Sequence, residues 1–202
     1  MIVVAAPFFL ERAWIPKRPG LRAVRIRPGA PSGFEGSLGR PDLLVSTGFC
    51  GGLDPRLKTG DLILASEVYH RGRRIAVDAG ILARARAALG ADRIDPAVGG
   101  LVTADRVVGT VDEKAKLWKE TGAIGVEMEA GSLAAWAEEN RVPFLALKAV
   151  LDRADRPLPL RRAADAILHP LAAVRAGRVG FSTGRAIGRG IAALLDGFGG
   201  EG

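Results

Sequence analysis

Cysteine is nearly absent from this chain. Cys50 stands alone among 202 residues, so an internal disulfide is impossible and a thiolate metal cluster has no ligands to draw on. Histidine is almost as scarce: His70 and His169 are far apart in sequence, lack ligand spacing, and are not candidate catalysts. No metal site and no cofactor are expected. Aromatic residues make up 5% of the chain, with one tyrosine, too few for a stacking platform on single-stranded nucleic acid. No apolar run approaches the roughly 20 residues a membrane-crossing helix needs. The apolar start at residues 1–6 has no charged leader before it and reads as a first strand, so a cytoplasmic location is the expectation. Acidic residues are outnumbered, 22 against 29 basic ones, for a net charge of +7. Such a field attracts phosphate, nucleic acid or anionic lipid without choosing among them. The excess gathers in residues 12–27 and 153–189. Neither stretch interleaves aromatics with bases, so the basic surface reads as a solvated face and nucleic acid is not an expected partner.

What is present is a well-stocked core: 48% of the residues are hydrophobic, enough for one buried interior and few for two, which predicts a single domain over 1–202. Apolar runs at 42–46, 61–65, 98–102, 123–126 and 143–150 read as strands. Helical spacing appears at 78–89, ending at Gly90, and at 112–120 and 128–140; two further helices are expected at 161–176 and 182–195. Strand and helix in alternation predict a three-layer α/β/α sandwich with a central mixed, mainly parallel sheet.

Acidic side chains sit at the ends of two of these strands. Glu127 and Glu129 lie in Gly125-Val126-Glu127-Met128-Glu129-Ala130, and Asp152 lies in Ala149-Val150-Leu151-Asp152-Arg153-Ala154-Asp155. Open α/β sheets bind ligands outside the carboxyl ends of their strands, which makes these carboxylates site candidates. Thr47-Gly48-Phe49-Cys50-Gly51-Gly52 is a third candidate, because glycines let a backbone approach a planar ring closely. Each has an ordinary structural alternative. Glu129 suits the first turn of a helix, Met128 suits a core, Asp152 suits a turn with Arg153 and Asp155, and Cys50 suits a buried apolar site.

The three segments, in this order and spacing, resemble the signatures of the nucleoside phosphorylase and nucleosidase superfamily, the group containing methylthioadenosine/adenosylhomocysteine nucleosidase. The similarity runs from Leu43 to Asp155, with a weaker match in the first dozen residues. Ala154-Asp155-Arg156-Pro157-Leu158-Pro159 and the basic stretch after it are most similar to the hopanoid-associated phosphorylases, which act on an adenosyl lipid. The resemblance implies cleavage between a purine and its ribose. That reaction builds positive charge on the sugar and negative charge on the base, so it needs an acid near the base and acceptors near the sugar. By resemblance Asp152 is the acid that shares a proton with the purine N7, Glu129 accepts from the ribose hydroxyls, Met128 lies against the sugar, and Glu127 is the adjoining carboxylate. Phe49, Cys50 and Gly51 would line the substrate, with Val107 and Val108 against the base. Glu11 falls where hydrolytic members keep the glutamate that activates water.

Departures from the pattern shape the expectation. Phosphorolytic members hold phosphate with arginine and serine around the glycine-rich segment, where this chain has Ser46 and Phe49. A phenyl ring supplies no hydrogen bond and Ser46 no charge, so hydrolysis is favoured, with Arg12 or Arg22 as candidates to restore a phosphate site. Val107 stands where adenosine-cleaving relatives keep a phenylalanine, and Leu151 where many keep a serine beside the acid. The alternatives are a phosphorylase and a noncatalytic nucleoside- or lipid-binding relative. Trp14 is a candidate to line the pocket for the 5′ substituent, and Trp118 and Trp136 suit helix packing. A homo-oligomer is expected, and the basic C-terminal segment suits peripheral contact with an anionic membrane.

Overall fold

Val3, Val4, Ala5 and Ala6 are all fully buried, as a strand covered on both faces must be. In this computed structural model they belong to β1 (Ile2–Ala6), which pairs in parallel with β2 (Leu21–Arg25) and β3 (Leu43–Gly52). The structure describes residues 1–7, 12–27, 29, 33–158 and 170–199, with 170–179 as backbone only. A short helix, α1 (Glu35–Leu38), precedes β3. β4 (Leu62–His70) turns back into β5 (Arg73–Ala76) through Arg71 and Gly72, both at positive φ, the backbone a two-residue hairpin turn requires. Then follow α2 (Ala79–Ala91), β6 (Ala97–Thr103), α3 (Val111–Thr121), β7 (Gly125–Glu127), α4 (Ala130–Asn140), β8 (Phe144–Asp152) and α5 (Pro170–Phe198).

The sheet is mixed and mainly parallel, as predicted. Its centre closes on itself: β3 pairs with β7 and β8, β7 with β6, β6 with β4, and β4 with β8. β1 and β2 extend outward from β3, and β5 from β4. The closure brings the carboxyl ends of β3, β7 and β8 together. Gly51 pairs with both Val126 and Asp152, and the register skips Leu151, a bulge that re-aims the end of β8.

Local chemistry sets the helix ends. Asp78 accepts from the Ile81 amide at the start of α2, and Thr110 and Glu113 form a reciprocal capping box at the start of α3. Gly122 ends α3 in the left-handed conformation. α2 runs one residue past Gly90 and closes at Asp92. Leu53, Val102, Ala123 and Val126 form a small cluster with Leu117 of α3, apart from the main core. Among the described residues no helix is long and apolar enough to cross a membrane.

Several expectations are corrected. Residues 47–52, read as a loop after a short strand, continue β3 to Gly52, because paired neighbours on each side satisfy the glycine backbone. β2 and β5 were hidden by their arginines. The expected pause between residues 176 and 182 does not exist: α5 is continuous through it, its Ile187, Ile191 and Leu194 buried against α2 and β8. The first part of the expected 161–176 helix lies outside the described residues up to 169. Trp118 is not packed but 40% exposed. Trp14 meets Phe181 edge to face at 4.9 Å and lies directly over Gly184, so it packs the segment after β1 against α5.

That contact leaves no room for a methyl group. Gly184→Ala would drive a Cβ into the Trp14 indole. Overpacking costs about 1–3 kcal/mol against the roughly 1 kcal/mol that alanine returns in a helix, and the clash is severe enough to win. Thermal unfolding followed by tryptophan fluorescence should show a lower Tm; an unchanged or higher Tm would show that Trp14 moves aside freely.

Candidate active site

Lys148 interrupts the apolar run of β8 and is fully buried. A buried ammonium persists only with counter-charges and acceptors around it. Its Nζ lies 2.9 Å from Glu127 Oε2 and 3.6 Å from Glu129 Oε2, and it donates to the Thr47 carbonyl at 3.2 Å. Glu127 in turn accepts from Thr103 Oγ1 at 2.5 Å and from the backbone amides of Glu129 and Ala130 at 3.0 and 2.8 Å. Thr103 Oγ1 also receives the Gly131 amide at 2.7 Å. Glu127 therefore caps the start of α4 from inside. Burial alone would push its carboxyl up, but Lys148 and the hydrogen bonds from Thr103 and Ala130 outweigh it and hold the group below the usual carboxylate range. The outcome is that Glu129, at the N-cap of α4 and 5% exposed, is fixed in place by its neighbour.

Asp152 ends β8 and is 7% exposed. Gly51 faces it directly: a Cβ there would meet Val126 Cγ1 at 3.2 Å and the two Asp152 carboxylate oxygens at 3.5 and 3.6 Å. Lys114, fully buried on α3, donates to Asp152 Oδ2. Burial raises the Asp152 carboxyl above its ordinary range, although the Lys114 ammonium beside it pulls in the opposite direction. Asp155 takes a bidentate contact from Arg153 at 2.8 Å to each oxygen and belongs to the turn, as the sequence indicated.

The two carboxylate groups are joined through β3. Cys50 is buried, and the charges of Lys148, Asp152 and Glu127 all act on its thiol, whose pKa burial pushes strongly upward. It is an inert apolar neighbour of the charged groups. Phe49 is half-buried against the main core. Met128 Cε lies 3.1 Å from where a Gly29 Cβ would be, so Gly29 lies against the methionine. Val107 is 47% exposed and Val108 packs on the small cluster beneath α3. The Leu158 amide donates to the Gly109 carbonyl at 3.0 Å, which brings the loop carrying both valines against the segment after Asp152. Glu11 lies outside the described residues. Ser46 is fully buried, and the Arg22 guanidinium donates to the Leu38 carbonyl.

Sequence reasoning missed both lysines. Lys148 had a signal, since a lone charge in a strand of buried apolar residues requires a partner. Lys114 had none, because it sits among the alternating charges of α3, where a solvated position is the ordinary reading.

Comparison with known proteins gives a concordant picture. The family model described as the Phosphorylase superfamily matches residues 36–179. A 5′-methylthioadenosine/S-adenosylhomocysteine nucleosidase from Staphylococcus aureus (strain bovine RF122 / ET3-1) is 27% identical over 134 residues, 57% of this chain and 59% of the relative. The chain thus spans 59% of the length of the curated relatives it matches. Futalosine hydrolase of Helicobacter pylori strain 26695 superposes with a TM-score of 0.77 at 17% identity, covering 96% of this chain and 97% of the other. The methylthioadenosine/adenosylhomocysteine nucleosidase of Neisseria meningitidis, in complex with methylthio-immucillin-A, gives 0.74 at 19% identity, with 96% and 97% covered. At these identities the structural likeness is one of fold.

Removing the inner ammonium tests the electrostatic account. Lys148→Met would leave Glu127 and Glu129 buried without their cation, a loss of about 3–5 kcal/mol at pH 7. Because Lys148 keeps the folded pKa of Glu127 below its unfolded value, its benefit is complete above about pH 4.3 and fades as pH falls through the lowered folded pKa. In the variant Glu127, left with its burial and without its cation, takes up a proton more readily, so its deficit relative to wild type should shrink from pH 7 to pH 5. Urea unfolding at the two pH values measures this; a constant deficit would assign the loss to packing.

Proposed function

This chain belongs to the phosphorylase superfamily, and on that premise we propose that it hydrolyses the N-glycosidic bond of a 5′-substituted, adenosine-type nucleoside and releases free base. The observation that carries the proposal is the placement of two nearly buried carboxylates, Asp152 at the end of β8 and Glu129 two residues past the end of β7, on strands that both pair with β3 at Gly51. In this reading the base lies over the Gly51 backbone, where the missing side chain leaves room beside the Asp152 carboxylate. Protonated Asp152 donates to the base as the C1′–N bond breaks and its electron pair moves to the heterocycle. Glu129 accepts from the sugar hydroxyls, its negative charge opposite the positive charge growing on the ribose. Met128 packs on the sugar and Glu127 acts through Glu129. Val107 and Val108 form the apolar side of the base site, and Glu11 is the proposed base for water.

Water is favoured over phosphate as the nucleophile. A phosphate dianion needs charge-assisted donors, but Ser46 is buried within the sheet, Phe49 has no polar group, and Arg22 is engaged by the Leu38 carbonyl. The S. aureus relative is named for methylthioadenosine and adenosylhomocysteine and the H. pylori structure for futalosine. These groups and a hopanoid tail are the 5′ substituents to compare. A cytoplasmic homo-oligomer is the proposed working form.

The deciding assay offers a panel of 5′-substituted adenosines with and without phosphate and measures free base. Phosphate-independent release is expected, falling as pH rises through the raised pKa of Asp152, since only the protonated acid donates. Asp152→Asn should lower kcat by about 10²–10⁴-fold. Undiminished release from this variant would remove Asp152 from the mechanism. Release that requires phosphate and yields ribose 1-phosphate would make the protein a phosphorylase.

A further inference from the structure

Lys114 is fully buried, on a helix whose other charged residues face outward. Its three ammonium hydrogens have three acceptors: Asp152 Oδ2, the Arg153 carbonyl at 2.7 Å and the Arg156 carbonyl at 2.8 Å. It thereby ties the carboxylate to the loop that follows it. The residue before it, Glu113, performs the matching task on the other side, capping α3 at Thr110 and receiving Arg106 Nη1 at 2.7 Å and the Gly109 amide at 3.2 Å. Two consecutive residues at one helix start therefore hold both the loop that carries Val107 and Val108 and the segment that carries Asp152. Leu151, next to the acid, has no polar group with which to orient it.

We propose that Lys114 is the positioning residue of the acid, holding Asp152 in one orientation and setting the pH above which its carboxyl can no longer donate a proton. The reaction part of this rests on the nucleosidase reading; the titration part does not. During cleavage the proton passes from Asp152 to the base nitrogen, the C1′–N electron pair stays with the base, and water delivers hydroxide to C1′. The Lys114 ammonium faces the carboxylate left behind, and the proton released by water restores Asp152 through solvent. Among the described residues, the charged or titratable groups facing Asp152 are Lys114 from α3 and Cys50 from β3. Lys148 and Glu127 act on Cys50 but are not among the groups that shift Asp152. In the following loop Arg153 and Arg156 turn their carbonyls to Lys114, and the Arg153 guanidinium is paired with Asp155.

The test is the titration of the Asp152 carboxyl carbon by 13C NMR, identified by its loss in Asp152→Asn, in wild type, Lys114→Met, Lys114→Gln and Lys114→Arg, with base release followed over the same pH range. An adjacent cation lowers an aspartate midpoint by about one to three pH units. Lys114→Met and Lys114→Gln should therefore raise the Asp152 midpoint by at least about one unit and carry the alkaline limb of the kcat/KM profile upward with it. Lys114→Arg should leave both near wild type. A purely structural lysine would lower activity or Tm without moving either midpoint, and an unmoved midpoint overturns the proposal. If the midpoint moves but no variant or wild type releases base, the nucleosidase reading fails and the lysine–aspartate linkage stands. If neither neutral variant folds, the Lys114 Cε signal of the native protein must report the Asp152 titration step; a signal flat through that step overturns the proposal.

Discussion

The interaction on which this architecture depends is the pairing of ammonium and carboxylate groups inside an otherwise apolar sheet. Lys148 holds Glu127 and Glu129 at one side of β3, and Lys114 holds Asp152 at the other. Carboxylates in such surroundings would take up protons or turn toward water unless matched. Two lysines from different elements keep them buried and oriented, holding Glu127 below the usual carboxylate range and opposing the upward push of burial on Asp152. A pair of this kind contributes little net stability compared with apolar packing of equal volume. Its value here is geometric, since it fixes three carboxylates near the adjoining ends of β3, β7 and β8.

Ring closure makes the arrangement possible. In a flat sheet, β7 and β8 would carry their acids along a common edge at fixed spacing. Here β7 and β8 flank β3, and the bulge at Leu151 rotates the end of β8 so that Asp152 faces Gly51. Glycine at the meeting point relieves crowding, because a Cβ at 51 would press on Val126 at 3.2 Å and occupy the space beside the Asp152 carboxylate. The capping of α4 by Glu127 couples the same strand end to a helix start, so that one carboxylate is used for structure and its neighbour is left at the site.

The strands with uninterrupted apolar sequence were legible, and so were the acids at their ends, because burial on both faces and a charge at a strand terminus are visible as composition along the chain. β2 was not, since Arg22 and Arg25 break its apolar pattern and only pairing with β1 makes it a strand. The glycine-rich segment read as a loop because local preference disfavours glycine in strands; pairing on each side overrides that preference. The expected break in α5 spans Gly177 and Gly180, which the helix tolerates. The roles of Glu127 and Lys114 were illegible for a different reason. Which acceptors surround a charge depends on residues distant in sequence, such as Thr103 for Glu127 and Asp152 for Lys114.

Closure of the sheet also leaves, among the described residues, just two outer strands. β2 and β5 each pair on one side only, and each carries two arginines: Arg22 and Arg25 in one, Arg73 and Arg74 in the other. Charged side chains along a strand margin make it a poor template for a further strand, here with Arg73 and Arg74 paired to Glu138 and Glu67 and Arg22 donating to the Leu38 carbonyl. Pairing through either sheet margin is thereby disfavoured, and the net charge of +7 adds to that resistance.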